Sequence, residues 1–196
     1  HHVYNGTSWV NEGLLHESDA RTNLLTYSED FTDASWVKLN SGIVSNAAIS
    51  PDGATTADKL YPTTAGVRRV FAQVTSTKAT HTHSVYVKAA EKDAAWVAQF
   101  NGTDYEYVVI NLTTGGVIGA TSGSYGVEDV GGGWYRVSVV GVSTIFDRYF
   151  SMAAGDVGDA YASSGFTTVA SGTDGIYIYG AQLEAGSTPS SYIPTA

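Results

Sequence analysis

The sequence predicts an all-β protein, an antiparallel sandwich of two sheets, on three observations. Short runs rich in Val, Ile, Tyr and Thr recur along the chain between Gly, Asn, Asp and Pro turn signals. The composition is poor for helices: 196 residues include 22 Gly and 13 Tyr but 1 Met, and no long amphipathic helical face is visible. The third observation is the stretch 175–195, GIYIYGAQLEAGSTPSSYIPT. Its extended, apolar run carries through Leu183 before Glu184, Gly186 and Pro189 end the ladder. A strand that apolar belongs in the middle of a sheet, so the chain returns late to sit beside early strands and close the domain. With no helical crossovers between strands, the pairing is antiparallel.

The length suits one sizeable core without requiring a second domain. Lys and Arg number 10 against 19 Asp and Glu, a formal charge of −9, which argues against nucleic acid or an anionic membrane surface as partner. The absence of cysteine excludes a disulfide framework and any thiolate metal site. No apolar run has the length of a membrane span, and no leader peptide is visible. His1 and His2 read either as a tag remnant or as the cut edge of a longer chain.

Taken in order, residues 1–22 form an arm or extra edge strand, with an Asn5-Gly6 turn signal and apolar pieces at Trp9 and Leu14-Leu15. Residues 23–196 form the sandwich domain, which begins at Asn23-Leu24-Leu25. Asp33 is placed to cap a short helical turn over 33–37, and Trp36 plugs one end of the core. Residues 46–49 are weakly strand-like and end at the turn Pro51-Asp52-Gly53. Strands are expected at 57–61 and 67–74. Over 84–88 the alternation sets Val85 and Val87 on one face and Tyr86 on the other. Glu91-Lys92-Asp93 is a charged turn. Residues 96–100 and 103–112 flank Asn101-Gly102, a two-residue hairpin signal. In the second arm Val108, Ile110 and Leu112 share the core phase, which leaves Tyr105 and Tyr107 outside. Further strands are expected at 117–118, 134–142, 144–152 and, weakly, 166–169.

Several stretches together carry a family resemblance: GLLHESDARTNLLTYSEDF from Gly13, ASWVKLN, SPDGATTADKL, SVYVKAA, GGGWYRVSV and the closing GAQLEAGSTPSSYIPT. This combination resembles a module of tailed-phage tail-fibre, tailspike and head-fibre proteins. The resemblance implies a jelly-roll β-sandwich similar to carbohydrate-binding modules and concanavalin-like lectins, located on an extracellular-facing virion fibre or spike. It implies host surface polysaccharide or oligosaccharide as partner and leaves room for a homo-oligomer through the upstream fibre region; the acidic charge and the lack of an apolar span argue against nucleic acid and membrane insertion. Within it, the motifs around Asn23 and Gly180 look like packing and closure signatures. No cofactor is expected. The resemblance leaves room for a structural calcium through Glu29 and Glu184, with solvated loop carboxylates as the alternative.

A sugar-binding surface combines aromatic platforms for C–H faces with planar donors and amide or carboxylate partners for hydroxyls. The outward phase offers Tyr105 and Tyr107 as platforms, Tyr86 as an extension of the same surface, and Arg148 for hydroxyls or a uronate. Gln99 is a hydroxyl partner, as is Glu106 unless it turns to the core side. Trp96 is a larger platform or a core residue. His81 and His83 share a strand face and could grip zinc only with a third ligand; the competing reading is solvent-side polar residues. Glycoside hydrolysis lacks a facing carboxyl pair, since Asp104 and Glu106 flank a turn. A lyase-like site would have to assemble from Tyr149, Arg148 and His83. The module is therefore read as non-catalytic, with a purely structural fibre domain as the rival.

Overall fold

Two six-stranded antiparallel sheets face one another in the computed structural model of the chain. It describes residues 20–121, 124–142, 147–167 and 172–196, with Asp147 and Arg148 given by their backbone alone. It also describes the backbone of an N-terminal pair, β1 His2–Tyr4 and β2 Trp9–Asn11, which are hydrogen-bonded to each other. The expected Asn5-Gly6 turn and the Leu14-Leu15 piece lie outside the described residues.

The remaining strands are β3 Trp36–Leu39, β4 Ser41–Ala48, β5 Ala57–Pro62, β6 Arg69–Thr75, β7 Thr80–Ala89, β8 Ala94–Phe100, β9 Tyr105–Asn111 and β10 Val117–Ala120. They continue with β11 Ser124–Gly131, β12 Trp134–Val142, β13 Asp147–Gly155, β14 Tyr161–Ala162, β15 Gly165–Phe166 and β16 Ile176–Ala185. The first sheet has the order β10-β9-β8-β13-β6-β3 and the second β11-β12-β7-β16-β5-β4. The expected all-β antiparallel sandwich is therefore the observed architecture, and β16 is internal, between β7 and β5.

Between the sheets lies one large apolar layer. Val85 and Val87 meet Val97, Val108, Ile110, Val137, Phe150, Met152, Ile176 and Ile178 there, all buried, and each such side chain contributes on the order of 2 kcal/mol by leaving water. Trp36 does plug the layer, with its ring 4.8 Å from Phe31 and 5.4 Å from Phe150. The segment before it is not a helical turn: Asp33 Oδ1 accepts from the Ser35 amide at 2.7 Å in an irregular turn, and β3 begins at Trp36.

The closing strand needs a phase correction that explains its sequence. Ile176 and Ile178 point inward, yet so do Ala181 and Leu183, which differ from them in parity. The ladder with β7 shifts between Tyr179 and Gln182, and Gly180 takes up the extra residue at φ 61°, a left-handed conformation that glycine adopts without penalty. This bulge leaves Gln182 and Glu184 on the outer side, where later residues return over them. Asn23 then locks the closure. Its Oδ1 accepts from the amides of Leu25 and Leu183 at 3.1 and 3.0 Å, and its Nδ2 donates to the carbonyls of Ala181 and Ile193 at 3.0 and 2.9 Å. The motifs around Asn23 and Gly180 are two halves of this one clamp.

Three local expectations are corrected by the register. The Asn101-Gly102 hairpin is a longer loop over residues 101–104, because Asn101 Oδ1 accepts from the amides of Thr103 and Asp104 and Phe100 pairs with Tyr105. His81 and His83 are not on the solvent side: they share the inward phase of Val85 and both are buried. Burial pushes the His83 imidazole well below its ordinary range and keeps it neutral. Glu184, finally, is not a solvated loop carboxylate. It is fully buried, accepts from the Ser190 amide and Gln182 Nε2 at 2.8 and 2.7 Å, and lies 3.8 Å from Arg21.

Candidate functional site

Each sheet turns an aromatic face outward, and the two faces differ in what covers them. On the second sheet the outer phase of β7, β12 and β16 carries Tyr86, Trp134, Tyr177 and Tyr179. Tyr192 folds back onto this layer, 5.6 Å from Tyr179 and 6.1 Å from Tyr86. Its hydroxyl lies 2.7 Å from Ser28 Oγ and donates to Glu29 Oε1 at 3.1 Å. The Tyr179 hydroxyl sits 3.0 Å from Glu29 Oε1 and 2.9 Å from Asp52 Oδ2, and gives its single proton to one of them. Burial raises both phenols above their ordinary range, and the adjacent carboxylates push in the same direction. The returning chain covers part of this face, with Trp134 and Tyr179 buried and Tyr86, Tyr177 and Tyr192 half-buried.

On the first sheet the outer phase crosses four strands. Strand β9 supplies Tyr105 and Tyr107, β8 supplies Trp96, Ala98 and Phe100, β13 supplies Tyr149, Ser151 and Ala153, and β6 supplies Arg69, Phe71 and Gln73. Trp96 pairs with Ala153, Ala98 with Ser151, and Phe100 with Tyr149. The centre of the face is thus floored by small residues and walled by large rings. Trp96 is fully buried beneath Tyr107, stacked at 28° with centroids 6.2 Å apart, and beneath Tyr105 at 5.8 Å. Tyr105 reaches across β8 and β13 to Arg69, whose guanidinium carbon lies 5.1 Å from the Tyr105 ring and 5.2 Å from the Phe71 ring, a cation–π contact on two rings. Burial raises the Tyr105 phenol, and the neighbouring Arg69 charge opposes the rise. Arg69 also donates to the Ser164 carbonyl at 2.8 Å. At one end Tyr161 and Phe166, from β14 and β15, cover the edge of the layer, with Tyr161 6.2 Å from Tyr107. Tyr105, Tyr107, Phe100, Phe71 and Tyr149 remain half-exposed.

The structure brings together only part of the expected site. Tyr105 and Tyr107 are on the outer face, in the expected phase. Trp96 shares that face as a buried support instead of a free platform. Tyr86 stands on the other sheet, so it cannot extend the surface: β7 and β8 are consecutive in sequence but belong to different sheets. Gln99 points inward with Val97 and is buried, with Nε2 3.5 Å from the His81 carbonyl, so it cannot meet a ligand hydroxyl. Glu106 is on the core-side phase near the loop, and its carboxylate accepts from Thr121 Oγ1 at 2.9 Å and Asn101 Nδ2 at 3.3 Å. Arg148 pairs with Val74 in the ladder, and its side chain lies outside the described residues. His83, between the sheets, and Tyr149, on an outer face, cannot combine in a lyase-like site. Arg69 and Phe71 were missed, although the alternation Arg69-Val70-Phe71-Ala72-Gln73-Val74 sets both on the outer phase.

No family model matches the chain, and no curated protein matches it significantly. Among solved structures, TmCBM61, in complex with beta-1,4-galactotriose, is similar with a TM-score of 0.51 and 10% identity, over 84% of this chain and 99% of that one. The CBM22-1–GH10 modules of Clostridium thermocellum endo-1,4-beta-D-xylanase 10B, complexed with xylohexaose, align with a TM-score of 0.44 and 12% identity, over 87% of this chain and 29% of that one. The fold is thus the jelly-roll sandwich found in carbohydrate-binding modules.

Proposed function

We infer that the chain is a non-catalytic glycan-binding module whose ligand lies on the outer face of the first sheet. The observation that carries this reading is the half-exposed pair Tyr105 and Tyr107 resting on the fully buried Trp96. Tyr107, stacked on Trp96 from below, loses little freedom on meeting a sugar, so its apolar face is available at small entropic cost. Gln73, exposed beside Tyr149 in the ladder, offers an amide to hydroxyls. That a neighbour of the same fold, TmCBM61, was solved with beta-1,4-galactotriose is consistent with a saccharide partner. The sequence resemblance to phage fibre modules supplies the setting: attachment of a virion fibre to host surface polysaccharide, with oligomerisation through the upstream fibre. The rival structural role has one observation in its favour, since Val37 and Leu39 are exposed on edge strand β3 beside Phe71 and Arg69.

A glycan array followed by calorimetry with a purified oligosaccharide tests the reading. The Tyr105→Ala/Tyr107→Ala double variant is expected to lose at least tenfold in affinity while still unfolding cooperatively. Unchanged affinity in the folded variant overturns this face as the site. A shift from monomer to stable oligomer that hides the tyrosines, with no glycan bound, favours the structural role.

A further inference from the structure

Beneath the contact between Tyr105 and Arg69 the outer face of the first sheet buries polar atoms without partners. Trp96 Nε1, Arg69 Nε and Ser151 Oγ are all shielded from solvent and make no hydrogen bond. They stand on the same face of three adjacent strands, β8, β13 and β6, around the small residues Ala98 and Ala153. A buried polar group without a partner costs stability, and three on one face call for an explanation.

Their chemistry is one-sided. The indole and the guanidinium can only donate, and the serine hydroxyl can donate as well as accept. Among the residues whose side chains are described, the outer phase of this sheet holds no carboxylate, and Arg69 is its sole charge; Asp147, at the far end of β13, has the same phase by register. A neutral sugar hydroxyl placed there would find donors but little to receive its own proton. An acceptor-only group suits the chemistry of all three atoms, and a carboxylate beside a guanidinium gains further from charge.

Resting on the glycan-binding reading, we propose that this face selects acidic sugars. The carboxylate of a uronate is received at Arg69, Trp96 Nε1 and Ser151 Oγ after Tyr105 swings off the guanidinium and stacks on the sugar ring. Arg69 sets the specificity, and the free-state contact between Tyr105 and Arg69 is the closed form of the subsite.

The test pairs each uronate oligosaccharide (galacturonate, mannuronate or glucuronate units) with its carboxyl-reduced counterpart of identical linkage, measured by calorimetry on the full chain. At least one acidic member is expected to bind tenfold or more tightly than its reduced partner, with affinity falling as salt rises. Arg69→Gln is expected to erase the preference, weakening the acidic member at least tenfold more than its reduced partner, and Arg69→Lys to restore part of it. Ser151→Ala removes an unpaired buried hydroxyl, so it is expected to leave the melting temperature unchanged or higher while weakening the acidic ligand several-fold; a purely structural serine would not weaken it. Equal or tighter binding of the reduced partners overturns the acidic selectivity and leaves the glycan-binding reading standing. If neither member of any pair binds, and the glycan array is also blank, both fall.

Discussion

The two outer faces of the sandwich begin alike and end differently. Each carries tyrosines over a buried tryptophan, Tyr105 and Tyr107 over Trp96 on one and Tyr86, Tyr177 and Tyr179 beside Trp134 on the other. On the second sheet the chain returns, and Tyr192, Ser190 and Ile193 occupy the surface with hydrogen bonds to Glu29, Glu184 and Gln182. On the first sheet, among the described residues, the Tyr161 to Phe166 corner comes over one end, and Tyr105, Tyr107, Phe71, Phe100 and Tyr149 stay half-buried. Aromatic content alone therefore does not mark a ligand surface. What distinguishes the open face is that its unpartnered buried atoms, Trp96 Nε1, Arg69 Nε and Ser151 Oγ, are donors, whereas on the other face the buried carboxylate Glu184 lies beside Arg21 under the returning chain.

Substitutions can break this contrast, starting where the chain seals itself. Deleting residues 176–196 removes the middle strand of the second sheet and its clamp, and the product is expected to show no cooperative unfolding transition by circular dichroism. Asn23→Ala strands two amides and two carbonyls and is expected to cost about 3 kcal/mol in chemical denaturation. Gly180→Ala forces an alanine to φ 61° with its Cβ 3.1 Å from Tyr86 and 3.2 Å from Tyr192, at an expected cost of about 2 kcal/mol.

Acid probes the space between the faces. His83 is neutral in the folded state with its pKa depressed by burial, whereas the unfolded chain takes up the proton near pH 6.5. Stability is therefore fully present above that pH and is lost as pH falls below it, by up to about 1.4 kcal/mol per pH unit. A His83→Leu variant is expected to flatten this slope between about pH 6.5 and 5, read from denaturant midpoints at each pH. The smallest effect sharpens the contrast. Tyr192→Phe loses bonds to Ser28 and Glu29 and is expected to cost about 1 kcal/mol, while Tyr107→Phe on the open face is expected to change stability by less than about 0.5 kcal/mol.

Phase was legible in the sequence, and sheet membership was not. Alternation placed Val108, Ile110 and Leu112 inward and Tyr105 and Tyr107 outward, and it placed Tyr86 opposite Val85 and Val87, all as observed. It could not say that β7 and β8 part company at the turn after Ala89, because consecutive strands usually pair; Tyr86 was therefore set on the wrong surface. His83 has the parity of Val85, but its polarity outweighed the pattern and hid a core residue. Gln99 was misplaced in the same way, sharing a phase with Val97. Strand β11 escaped notice because SYGVEDVG is an exposed edge with acidic residues and glycines, and such edges carry weak alternation. The clamp at Asn23 was visible as two separate motifs whose meeting required the fold.

The position of β16 also governs how the molecule can form. The strand that completes the second sheet follows all the others in the chain, so on a chain still being synthesised β7 and β5 lack their shared partner until β16 emerges. Unpaired strand edges are templates for pairing with other chains until the right strand arrives. Asn23 meets Ala181 and Ile193 across most of the polypeptide, and long-range contacts of this kind are expected to slow folding relative to a chain of local hairpins.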